Sequence, residues 1–143
     1  MDFPAMSRVL KTSGFLGLAT MMCVGMYQNM LLASGQGAPA WMIGGHAHLG
    51  VLSILAVVMG FAVDVFALDG TLRSAVTSLY VVGQWFLPLT VWLAGGFSLG
   101  CLHPTAFLWG LCLIVAMLLM AYQAATSSPR SAAGPRSTAP ADD

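Results

Sequence analysis

The chain has 143 residues, of which 58% are hydrophobic and only 7% are charged, and it carries no formal net charge at pH 7. A water-soluble globule of this composition would lack the polar atoms needed to cover its surface, so the sequence places the chain in a lipid bilayer. The neutral charge and the lack of any cluster of basic residues argue against nucleic acid as a partner.

Four apolar stretches follow one another along the chain, and each is close to the length of one membrane span. They comprise residues 13–33, 48–63, 75–95 and 106–122. The first stretch also resembles a secretory signal peptide, but its apolar core is longer than the core of such peptides. We predict an all-α, four-helix transmembrane bundle over residues 1–125 and a disordered cytoplasmic tail over residues 126–143.

The five basic residues predict the orientation of the bundle in the membrane. They lie before the first stretch, between the second and third, and after the fourth: Arg8, Lys11, Arg73, Arg130 and Arg136. Basic residues are retained on the cytoplasmic side. We therefore expect a multi-pass protein of the bacterial inner membrane, with both termini in the cytoplasm and the loops after helices 1 and 3 outside.

Polar and aromatic residues inside the apolar stretches have structural interpretations. Gln84 is expected to face protein, because lipid offers no partner for its amide. Asp64 is expected to reach the interface or to pair with Arg73 rather than to act as a functional acid. Trp92 follows Trp85 by one heptad, so the two are expected either to line an apolar pocket or simply to pack.

The three histidines of the chain are predicted at the outward end of the bundle, where His46 and His48 begin helix 2 and His103 begins helix 4. Three imidazoles at one depth suit a metal ion or a haem, since neutral imidazole is a good ligand. The alternative is that they bond lipid headgroups or loop carbonyls. His46 and His48 point about 200° apart on a helix, so one zinc ion can bind both only if the helix begins after His46.

A haem needs fewer protein ligands than a zinc ion, because one axial histidine and a few small neighbouring residues are enough. Gly44, Gly45, Ala47 and Gly50 surround His48 in the sequence. The chain contains no glutamate, and the two aspartates near the helix 2 to helix 3 loop lie at the opposite end of the bundle. A protein-only acid and base pair is therefore not expected beside the histidines, and an enzyme of this sequence would need a cofactor.

Several short motifs resemble styrene oxide isomerase, a family of small membrane proteins. The motifs touch all four helices: Val24-Gly25-Met26-Tyr27-Gln28-Asn29, Ala47-His48-Leu49-Gly50, Phe66-Ala67-Leu68-Asp69 with Thr71 and Arg73, Gly83, and Tyr122-Gln123-Ala124. The resemblance implies a homotrimer that holds haem b between subunits through a histidine near the start of helix 2. In that family the ferric iron acts as a Lewis acid on an epoxide oxygen, and a hydride shift yields the aldehyde.

The resemblance also assigns the haem contacts. The Ala-His-x-Gly match puts the axial ligand at His48, with His46 as the fallback. The further candidates for haem binding are Gly50, Tyr27 and Asn29.

On the substrate side of the haem, this sequence departs from the family. The family has an Asn and a Tyr there, and the corresponding positions of this sequence are Ile54 and roughly Thr90. The loop between helices 3 and 4 also introduces His103, which has no counterpart in the family. The candidate catalytic residues are Thr90, Trp92 and His103.

Three functions are open at this point. The first is a haem b isomerase that rearranges a small apolar aryl epoxide and needs a five-coordinate iron. The second is an electron-transfer cytochrome b in which His48 and His103 both bind the iron. The third is a cofactor-free accessory subunit of a membrane complex.

Overall fold

The structure is a computed structural model that describes residues 3–127. Its helices are α1 (Phe3–Ala33), α2 (Ala40–Val65), α3 (Gly70–Gly96) and α4 (His103–Thr126), with a 3₁₀ turn at Gly100–Leu102 before α4. All four helices are long and apolar enough to span a membrane, which confirms the predicted all-α transmembrane fold. The predicted tail, beyond its first two residues, and with it Arg130 and Arg136, lies outside the described residues.

Helix α2 is longer at its start than the sequence predicts. Pro39 occupies the N-cap, with φ −60° and ψ 144°, and the helix begins at Ala40. The prediction that His46 and His48 begin this helix is therefore wrong, because both lie inside it. His103, by contrast, is the first residue of α4 as predicted, with Pro104 in the first turn, where a proline needs no backbone donor.

Neighbouring helices in the chain pack antiparallel, and α3 is the central one. Helix α3 contacts α1, α2 and α4, and α1 packs closely on α2. Within the described residues, no Cα of α4 comes within 8 Å of α1 or α2. The backbone of α4 therefore packs against the bundle through α3.

Glycines set the close approach of α1 to α2. A Cβ on Gly14 would lie 2.7 Å from the backbone oxygen of Ser53, and one on Gly60 would lie 3.2 Å from the backbone oxygen of Ser7. A Cβ on Gly25 would meet the His46 ring at 3.0 Å. Small residues let transmembrane backbones approach in this way, and here they fix the relative height of the two helices.

One buried polar network joins α1, α2 and α3 at the middle of the bundle. The amide of Gln84 accepts a hydrogen bond from Ser13 Oγ at 2.9 Å. It donates to the backbone oxygen of Ser13 at 3.1 Å and to Ser53 Oγ at 3.2 Å. Gln84 is fully buried, as the sequence predicts.

The best-packed half of the bundle is the one near the α2–α3 loop. Its buried apolar cluster comprises Leu10, Ala56, Met59, Val63, Leu68, Val76, Tyr80, Ala116 and Met120. Beside it, Asp64 binds Lys11 Nζ at 2.7 Å and Arg73 Nη2 at 3.1 Å, which confirms the predicted Asp64–Arg73 pair. We call this the charged end, and we call the opposite end, with His46, His48 and His103, the histidine end.

We predict opposite effects for two Gly→Ala substitutions within helices. Gly14→Ala should lower the free energy of unfolding by about 1–3 kcal/mol, because the new methyl group meets the backbone of α2. Gly110→Ala, where nothing lies within 4 Å of the new Cβ, should be neutral or raise it by about 0.5–1 kcal/mol. Unfolding of both variants in one detergent, followed by circular dichroism, makes the comparison. Equal effects at the two positions would contradict the helix packing described above.

Candidate functional site

The three histidines are at the same end of the bundle, but their side chains occupy different surroundings. His46 is half-buried on the side of α2 that packs against α1, where its ring lies over Gly25. Its buried Nδ1 has no hydrogen-bond partner among the described residues. His46 is therefore part of the α1–α2 interface.

His48 lies two residues further along α2, about 200° around the helix from His46 and thus away from α1. The side chain is exposed, and its Nδ1 is 2.7 Å from the backbone oxygen of Gly44. A carbonyl oxygen only accepts, so Nδ1 must carry the proton. In the neutral ring this leaves the lone pair on Nε2, the atom that is free to ligate a metal.

Small apolar residues border His48 on this exposed side of α2. Ala47, Val51 and Leu52 line a shallow open cavity of about 250 Å³ with it. The nearest atom to a Cβ on Gly44 would be Val91 Cγ1 at 3.7 Å. The surface around the imidazole is therefore apolar and shallow.

Two glycines expected beside His48 serve helix packing instead. Gly45 is covered by the indole of Trp92, and Gly50 is covered by Met21, whose sulfur would lie 2.7 Å from a Cβ there. Gly50 is buried and faces α1. Among the expected small residues, Gly44 and Ala47 are the ones that flank His48 on its open side.

His103 begins α4 on the other side of α3. It is exposed, and its Nδ1 lies 3.2 Å from the backbone oxygen of Gly100. By the same argument as for His48, its Nε2 carries the lone pair. Over residues 3–127, no three His, Cys, Asp or Glu side chains cluster in a way that would hold a bare metal ion.

The other candidate residues are spread over two sides of the bundle. Thr90 is buried between α3 and α4, where its hydroxyl accepts a hydrogen bond from Trp109 Nε1 at 3.0 Å. Tyr27 and Trp92 line an open cavity of about 420 Å³ that is bordered by α1, α2 and α3. Asn29 is exposed on α1. Neither Thr90 nor this cavity borders the shallow cavity at His48.

Comparison with known proteins gives one match. A family model described as a domain of unknown function, DUF8059, matches residues 6–143. The chain belongs to the DUF8059 family. No curated protein and no solved structure shows a significant match.

The residues matched to DUF8059 include the three histidines and nearly all of the four helices. One feature of the site in this DUF8059 chain lies outside what sequence reasoning found, namely the role of Gly44 as acceptor for His48. The signal was present in the sequence, because Gly44 lies four residues before His48. That spacing brings the two to the same face of a helix, once the helix is known to begin before Gly44.

Proposed function

We propose that this protein binds haem b through His48 and acts as an isomerase of the styrene oxide isomerase type on a small apolar aryl epoxide. The observation that carries the proposal is the bond from His48 Nδ1 to the Gly44 oxygen at 2.7 Å. A metal-ligating histidine commonly donates its second ring N–H to such an acceptor, which fixes the tautomer and the ring plane. His46 lacks this arrangement and is held against α1, which favours His48 as the ligand.

The size of the site supports assembly of several copies. The cavity of about 250 Å³ at His48 falls below the roughly 300–1,000 Å³ of pockets that enclose a small ligand. One chain therefore offers one wall for a macrocycle, and a second wall must come from another copy. The exposed face of α2 next to His48 is apolar throughout and comprises Ile43, Ala47, Val51, Ile54, Val58 and Phe61. We propose that this face forms the interface of a homotrimer.

The chain's own residues meet the needs of this chemistry. Ferric haem, when bound, supplies a Lewis acid for the epoxide oxygen. His48 would hold the iron, and Gly44 and Ala47 would leave room beside it for the macrocycle. The exposed apolar side chains of α2 would exclude water from the site. No proton donor of the protein is needed for ring opening.

A second candidate function is favoured by His103. Its Nδ1 is also held by a backbone oxygen, at 3.2 Å from that of Gly100, so the chain has two histidines with a ligating Nε2. If both bound one iron, the protein would be an electron-transfer cytochrome b. The two functions differ in whether a coordination position remains for the substrate.

We also propose that the charged end faces the cytoplasm of a bacterial cell, since Arg8, Lys11 and Arg73 lie there. The test uses a variant without Cys23, Cys101 and Cys112, to which Gly37→Cys or Thr71→Cys is added. A membrane-impermeant maleimide applied to intact cells should label position 37 and not position 71. The reverse pattern would show that the orientation is inverted.

The haem proposal predicts different results for two histidine variants. His48→Ala should abolish haem absorption in the purified protein, while the helix content stays unchanged, because insertion depends on apolar length. His46→Ala should retain most of the haem. Loss of haem in His46→Ala alone would make His46 the ligand. Unchanged spectra in both variants would refute haem binding by α2.

The choice between isomerase and cytochrome depends on His103. For the isomerase we expect a high-spin or water-ligated ferric spectrum that shifts on addition of imidazole or an aryl epoxide, and formation of the aldehyde without a reductant. His103→Ala should leave the resting spectrum unchanged. A low-spin spectrum that becomes high-spin in His103→Ala would establish two histidine ligands and rule out the isomerase, because a saturated iron has no position for the epoxide oxygen.

A further inference from the structure

One face of α1 borders open cavities beside α3. The residues of this face recur every three or four positions and comprise Val9, Ser13, Leu16, Thr20, Cys23 and Tyr27. From Val9 to Tyr27 the face extends about 27 Å, at 1.5 Å per residue. The face therefore runs through both leaflets of a bilayer whose hydrocarbon core is about 30 Å thick.

Two separate open cavities lie along α1, one towards each end of the bundle. At the charged end, a cavity of about 470 Å³ between α1 and α3 is lined by Arg8, Val9, Thr12, Ser13, Leu16 and Trp85. We call this cavity the α1–α3 groove. At the histidine end, the cavity of about 420 Å³ is lined by Cys23, Val24, Tyr27, Trp41, Met42 and Trp92. Both cavities are therefore bordered by the same face of α1.

The floor of the groove is the aromatic ring of Trp85. Trp92, seven residues further along α3, lines the other cavity. The indole N–H of Trp85 is satisfied inside the protein, since it donates to Ser13 Oγ at 2.8 Å. The part of Trp85 that remains for a ligand is its apolar ring.

The α1–α3 groove carries a cation that is available to a ligand. Lys11 and Arg73 both bind Asp64. Arg8 is exposed, lines the cavity together with Thr12, and forms no ion pair within the part of the chain that the structure describes. Basic side chains at the membrane surface attract anionic lipid headgroups. The groove thus combines one basic residue at the interface with an apolar path into the bilayer.

We propose that the α1–α3 groove binds one anionic phospholipid, with its phosphate on Arg8 and Thr12 and an acyl chain against Leu16 and Trp85. The apolar floor and the charge of the groove both match this ligand. The site is separate from the proposed haem site, because His48 lies on the side of α2 that faces away from α1. The proposal therefore does not depend on haem binding.

The headgroup contact is tested with the full chain purified in a non-ionic detergent. Native mass spectrometry after addition of equal amounts of phosphatidylglycerol and phosphatidylethanolamine counts the lipids retained. We expect one retained lipid with a preference for phosphatidylglycerol. Arg8→Gln should weaken retention of phosphatidylglycerol about fivefold, the effect of one basic residue at an anionic surface, and should leave phosphatidylethanolamine unchanged. Equal retention of both lipids by the unmodified protein, or no effect of Arg8→Gln, would overturn the headgroup assignment.

The acyl path is tested with two matched substitutions on exposed leucines. Leu16 lies in the groove and is 58% exposed, whereas Leu118 lies on α4 and is 63% exposed. Leu16→Trp should fill the groove and reduce retention of the lipid at least fivefold, while Leu118→Trp should not. Helix content and gel filtration verify that both variants fold. Retention unchanged in Leu16→Trp, or lost equally in both variants, would overturn the proposal.

Discussion

The arrangement of the bundle depends on the side-chain amide of Gln84. A buried amide in lipid has no water to bond, so its donors and acceptor must be met by protein. Gln84 meets them with Ser13 of α1 and Ser53 of α2, and these bonds form only when the three helices stand at one relative height. The glycine contacts between α1 and α2 agree with this height, since Gly14 meets Ser53 and Gly25 meets His46. The orientation of both α2 histidines follows, because His46 is held against α1 and His48 is turned away from it.

The two ends of the bundle differ in how completely they are packed. At the charged end all four helices contribute to one buried cluster, and the two cations on Asp64 bind α1 to the end of α2 and to α3. Towards the histidine end, α4 has no buried residue before Ala116, and its contact with α3 includes the bond from Trp109 to Thr90. The exposed imidazoles of His48 and His103 occur at the less packed end, whereas open cavities occur towards both ends of the bundle.

The sequence predicts the framework of this fold better than its site. Four spans, the buried Gln84 and the Asp64–Arg73 pair follow from apolar length and from the need to satisfy polar groups in lipid. The start of α2 does not follow from hydropathy. Gly44, Gly45 and the histidines lower the hydropathy of this segment, so the apolar stretch begins late, although Pro39 allows the helix itself to begin earlier. The residues that contact Gly45 and Gly50 depend on how far neighbouring helices are shifted along their axes relative to α2. No local sequence pattern predicts that shift. Trp85 and Trp92 lie on one face as expected, but each lines its own cavity. Haem and the isomerase reaction stay predictions.

The exposed position of His48 connects the proposed cofactor with the proposed assembly. A neutral imidazole on a lipid-facing helix has two polar nitrogens, and Gly44 satisfies one of them. The second, Nε2, has no water to bond in the hydrocarbon region, and leaving a polar atom unpaired there costs free energy. Under the proposed function, the haem iron would remove this cost by coordination. A second copy of the chain would then cover the macrocycle and the apolar face of α2 together. Under this argument, loss of the cofactor exposes a polar nitrogen at the subunit interface, so haem binding and trimer formation stabilise each other.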